Sequence, residues 1–105
     1  MKQNRKNIIL EEISEDPNNP FNYYLLGLEC IKDGNMEESI RIFENLLKDF
    51  PNYLPSYLTI ANYLIEHNLA IEKTEEIIKK GILMAIEQQN TKAQRELQAL
   101  LDIHF

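Results

Sequence analysis

A chain of 105 residues has room for one domain around one hydrophobic core and not for two. Its apolar alphabet is 14 Leu and 14 Ile, with no Val, no Trp, only 3 Thr and only 3 Gly, which disfavours a sheet with many turns and suits helices. With 11 basic against 17 acidic residues the net charge is −6, so a nucleic-acid backbone meets net repulsion, and the single Cys30 excludes an intrachain disulfide or a cysteine cluster for zinc or iron–sulfur.

The elements follow in chain order. A first helix is predicted from about Gln3 to Ser14. Its basic start, Met1 to Asn7, precedes an apolar stretch that stops at Glu11, too short for a secretory leader. Asn19-Pro20 supplies an N-cap and a first-turn proline, opening a second helix that runs to about Asp33 and closes at Gly34, a residue suited to the left-handed C-cap. Asn35, with Glu38 three residues on, makes a capping-box start for a third helix that stops before Pro51. Pro55 opens a fourth, ending near His67-Asn68, and a fifth runs from about Ile71 to Gln89. Thr91 with Gln94 opens the last, whose Ala93, Leu97, Leu100 and Leu101 form one apolar stripe at helical spacing, backed by Lys92, Arg95, Glu96, Gln98 and Asp102. No segment reaches the length of a membrane span, so a soluble, cytoplasmic protein is expected.

The chain also repeats itself. A shift of 34 residues puts Tyr23 on Tyr57, Leu26 on Ile60, Gly27 on Ala61, Cys30 on Leu64 and Gly34 on Asn68. Beyond that turn a shift of 35 fits better, with Ser39 on Thr74, Phe43 on Ile78 and Leu47 on Ile82, so one residue is inserted near Leu69-Ala70. Running backwards by 34, Ile42 falls on Ile8, Phe43 on Ile9 and Pro51 on Pro17, which makes the N-terminal segment half a repeat. The residues Tyr23, Leu26-Gly27, Gly34, Ser39, Phe43 and Pro51 together resemble the tetratricopeptide repeat pattern, a 34-residue helix–turn–helix. Cys30 stands where that pattern has an aromatic and Ser39 where it has Ala, and the second unit lacks both the turn Gly and the closing Pro.

The resemblance implies an all-α, right-handed superhelix of helix–turn–helix pairs: six antiparallel helices in a single domain over 1–105. The parts are an N-terminal half-repeat over 1–19, a first repeat over 20–53, a degenerate second over 54–89 and a capping helix over 90–105. Gly27 and Ala61 are small where paired helices cross closely, and Phe43 and Ile78 fill the space beneath. Neither repeat can bury its apolar face alone; a half, two wholes and a cap reach the usual minimum for such arrays.

Catalytic patterns are thin, and no enzyme is expected. His67 at a helix end complements the dipole. His104 is penultimate. The acidic pairs Glu11-Glu12, Glu37-Glu38 and Glu75-Glu76 point about 100° apart on their helices and chelate poorly. Three glycines cannot build a phosphate-binding loop. Cys30 lies at a packing position, where a buried, unreactive thiol is the simpler reading. No cofactor or metal is expected. Lys2, Arg5 and Lys6 are the only basic cluster, and a terminal basic trio reads as a solubilising end.

Members of the resembled family bind ligands on a concave surface lined by the first helix of each pair. Here that stripe is Tyr24, Leu28 and Ile31, repeated as Leu58, Asn62 and Ile65, which at equal offsets on neighbouring helices makes one apolar patch without a basic residue. Members that grip chaperone carboxylates place Lys, Arg and Asn there, whereas Tyr24 and Leu28 stand where the first Lys and Asn would be. The expectation is a non-enzymatic adaptor or scaffold holding a peptide or partner helix, with Tyr24 as aromatic anchor. If the chain's own terminal helices cover the stripe, the same residues are core; Asn62 favours an open groove, because an unpartnered buried amide costs about 1–3 kcal/mol. The alternative is a homodimer, through this groove or through the run Gly81–Ile86, which is apolar nearly all round its helix and, unless sandwiched inside, leaves a patch for a two-fold partner.

Overall fold

The computed structural model describes residues 2–105, with side chains from Arg5 onward, as six helices. They are α1 (Lys2–Glu15), α2 (Pro20–Lys32), α3 (Met36–Asp49), α4 (Pro55–Glu66), α5 (Ile71–Glu87) and α6 (Thr91–His104). The fold is all-α, with no strand among the described residues and no helix long and apolar enough to cross a membrane. The helices form two compact units, Met1–Phe50 with α1 to α3 and Pro51–Phe105 with α4 to α6.

Local chemistry sets the helix ends. Asn19 Oδ1 accepts from the Phe21 amide at 3.1 Å, ahead of Pro20 at the first helical position. At the other end of α2, Gly34 sits at φ +77°, its amide donates to the Ile31 carbonyl and the next amide, Asn35, donates to the Cys30 carbonyl at 2.9 Å. These two bonds are a Schellman closure. Asn35 then caps α3: its Oδ1 accepts from the Glu38 amide at 3.2 Å and its Nδ2 donates to Glu38 Oε2 at 2.8 Å. The same closure ends α5, with Gln89 at φ 55° and Asn90 donating to the Ala85 carbonyl, and Asn90 then caps α6 by accepting from the Ala93 amide at 3.0 Å. The α6 cap is therefore Asn90, and Thr91 is the first helical residue rather than the opener expected of it. At the end of α4, Asn68 takes the left-handed position at φ 55° and Leu69 the closing one, but Leu has no side chain that can cap. The inserted Ala70, at φ 44°, starts α5 without a side-chain cap.

In the first unit α2 packs most extensively on α3, with α1 against α2. Phe43 is fully buried under Gly27, where an added Cβ would stand 2.6 Å from Phe43 Cε2. Leu26, Cys30, Leu46 and Ile9 complete this core. In the second unit α5 lies between α4 and α6. Tyr57, Ile60, Ala61 and Ile78 are fully buried, Leu97 of α6 nearly so, and a Cβ on Gly81 would stand 2.8 Å from Tyr57 Cβ and 3.0 Å from Leu97 Cδ1. Gly81 thus allows three helices to meet at one point.

The small positions of the repeat are polar here for a local reason. Ser39 Oγ donates to the Met36 carbonyl at 2.8 Å and Thr74 Oγ1 to the Ala70 carbonyl at 2.9 Å, so both buried hydroxyls are satisfied within their own first turn. Ser56 differs: it is fully buried and its Oγ has no partner among the described residues. Ser56→Ala is therefore expected to raise the unfolding free energy by about 1 kcal/mol in urea titration, and a loss of that size would show the hydroxyl to be engaged.

Candidate functional site

On α2 the helical period separates two faces. Leu26, Gly27 and Cys30 turn into the core, while Tyr24, Leu28 and Ile31, offset by four and three, share another face. Tyr24 is half-buried, its ring edge-on to Phe43 with centroids 5.8 Å apart. Leu28 is 36% exposed and Ile31 half-buried. On α4, Tyr57, Ile60, Ala61 and Leu64 are buried, Leu58 and Ile65 half-buried and Asn62 exposed. Three of the six expected ligand-facing residues thus lie on α2 of the first unit and three on α4 of the second.

The run Gly81–Ile86 is covered on one side only. Gly81 and Ala85 are buried, but Leu83 is 64% and Ile86 50% exposed, three residues apart on one face of α5. Its neighbours Lys79 and Glu75 form an ion pair at 3.2 Å along the same helix.

The titratable groups do structural work. Cys30 is 1% exposed, and burial, with the Glu38 carboxylate second, holds its thiol above the ordinary range against the opposing effect of Lys6. It is protonated at neutral pH and a poor nucleophile. Burial likewise pushes the Tyr57 phenol up. His67 is the C-cap of α4, its ring 4.5 Å from that of Tyr63. Among the described residues no three His, Cys, Asp or Glu side chains converge as metal ligands.

Two arrangements escaped the sequence reading. Arg5 reaches Glu29 at 3.7 Å and Lys6 reaches Glu38 at 3.6 Å, so these two members of the N-terminal basic cluster are engaged in holding α1 in the first unit, not merely solubilising it. Glu29 is buried, and its second oxygen has no partner among the described residues. Helical spacing alone places a glutamate near a core without saying whether a cation from another helix meets it. The second arrangement is a repeated bond: Tyr23 Oη donates to the Pro17 carbonyl at 2.8 Å, and Tyr57 Oη to the Pro51 carbonyl at 2.7 Å. The signal was present, since both tyrosines follow a proline by six residues at the 34-residue repeat.

No protein-family model and no curated protein matches the sequence. The structure is similar to the solution structure of a tetratricopeptide repeat domain protein from Salinibacter ruber, with TM-score 0.75 and 27% identity over 82% of this chain and 86% of that one. It is likewise similar to a crystal structure of the same Salinibacter ruber repeat domain, with TM-score 0.71 and 25% identity over 80% of this chain and 92% of that one.

Proposed function

We propose that the chain, whose fold is similar to that of tetratricopeptide repeat domain proteins, is a member of that family and a non-enzymatic interaction module, an adaptor or scaffold that binds a peptide or partner helix on the apolar first-helix stripes. The observation that carries this reading is Leu28, an aliphatic side chain open to solvent in a stripe whose other members on α2, Tyr24 and Ile31, are half-buried. Such a face offers an apolar anchor point with an aromatic beside it and no charge to select an ionic ligand. On α4 the stripe pairs Leu58 and Ile65 with the exposed amide of Asn62, which can fix the backbone of a bound segment.

Leu28→Glu tests this. Because Leu28 is an exposed residue, the variant should keep its helical circular dichroism and melt within about 2 °C of the wild type. Affinity for a partner identified by crosslinking should fall at least about tenfold, as for a truncated hot spot. A fall in Tm beyond about 5 °C with partner affinity intact would make Leu28 core and overturn the reading. The exposed Leu83 and Ile86 favour a second reading, a two-fold self-association through α5. Light scattering at two concentrations tenfold apart separates the two, since a monomer at both removes the second.

A further inference from the structure

The first unit holds a cavity of about 520 Å3 that the stripe on α2 does not use. Every residue lining it lies between Pro17 and Phe50. Leu26, Ile42 and Leu46 form an apolar floor. Tyr23 and Phe50, with ring centroids 5.8 Å apart and planes tilted by 31°, make an aromatic wall. Tyr23 is held in place by its hydroxyl, which is spent on the Pro17 carbonyl. The rim carries Asn18 from the turn before α2, and Asn45 and Asp49 four residues apart on α3. None of the lining residues is basic, and no ion pair or hydrogen bond among the described residues engages the Asp49 carboxylate.

We infer that this cavity takes an arginine side chain, flanked by an aliphatic one, from an extended segment of a partner polypeptide. The chemistry selects a cation: a carboxylate, two amide oxygens able to accept, and aromatic faces that attract positive charge, in a protein of net charge −6. Arginine fits better than lysine because its planar guanidinium can lie against a ring while its N–H groups reach both the Asp49 carboxylate and the amide oxygens. The volume exceeds that of one side chain and falls in the range of ligand pockets, about 300–1,000 Å3, so the apolar floor has room for a neighbouring aliphatic group. The polypeptide source rests on the interaction-module reading above, but the site is separate from the stripe. At about 100° per residue, Tyr23 and Leu26 lie roughly 140–160° round α2 from Leu28.

The test is a titration of the full, isotope-labelled chain with capped leucyl-arginyl-leucine, followed by amide NMR. The expected result is saturable shifts at Asn18, Asn45 and Asp49, about tenfold weaker binding of capped leucyl-glutaminyl-leucine, and similarly weak binding of capped arginine alone. Asp49→Asn, at an exposed position, should weaken the arginine peptide at least about fivefold and erase its advantage over the glutamine peptide, whereas Leu28→Glu should leave this binding unchanged. Equal affinity of the arginine and glutamine peptides, or an Asp49→Asn chain that binds as the wild type does, overturns the inference. Capped arginine binding as tightly as the tripeptide overturns the polypeptide source. Shifts centred on Tyr24 and Leu28 also overturn it, while leaving the stripe reading intact.

Discussion

Gly27→Ala is expected to destabilise the protein by about 2 kcal/mol, a fall in Tm of roughly 10 °C, although alanine is the better helix former by about 1 kcal/mol. The sign is decided by Phe43. An added methyl would lie 2.6 Å from its Cε2 and 2.8 Å from its Cζ, both inside van der Waals contact. Those atoms are the far end of a side chain, which in an open setting would swing away. Here the ring is fully buried, with Tyr24 edge-on at 5.8 Å, and has nowhere to go. Shrinking the obstacle should therefore rescue the substitution. Gly27→Ala with Phe43→Leu is expected to be more stable than the sum of the two single changes by about 1–2 kcal/mol in a urea double-mutant cycle. A stabilising Gly27→Ala would show that α2 and α3 are not in tight contact at this crossing.

Tyr57→Ala is expected to cost about 3–5 kcal/mol, a large share of the stability of a domain this size. Tyr57 is the largest fully buried side chain, and it fills the space where α4 meets α5 at Gly81. Tyr57→Phe isolates the hydrogen bond and should cost about 1 kcal/mol, because the Pro51 carbonyl loses its donor at a half-buried site. The equivalent Tyr23→Phe should cost measurably less, since its bond to Pro17 is open to water, which replaces the lost donor. Equal costs at the two positions would mean that burial does not set the value of this repeated bond. Gly81 supplies an internal control. The obstacle there is Tyr57 Cβ, which alanine retains, so Tyr57→Ala is not expected to rescue Gly81→Ala as Phe43→Leu rescues Gly27→Ala.

The two units keep one fold while several repeat positions differ in residue type, and particular residues show how. The repeat signature rests on a few small and aromatic positions, and this chain varies several of them without altering what they do. Ser39 and Thr74 stand at the small positions because their hydroxyls bond to their own first turn. Asn68 stands in the second unit where Gly34 stands in the first, because asparagine also enters the left-handed region at modest cost. Cys30 fills an aromatic position as a compact apolar group.

What the sequence determined by itself was the set of six helices and most of their ends. Caps, first-turn prolines and apolar spacing act over a few residues, so Asn19-Pro20, Gly34-Asn35 and Pro55 carry their meaning wherever the rest of the chain goes. The tertiary structure decided which of the apolar residues were left over. Leu28 is exposed on α2, and on α5 Leu83 and Ile86 are exposed while Ala85 is buried beside them; helical spacing cannot distinguish a face that meets a neighbour from one that meets water. It also decided that Arg5 meets Glu29 and that Tyr23, Phe50 and Asp49 surround one cavity. Those groups are brought together by packing between helices, and the distance between residues far apart in the chain is written in no local pattern.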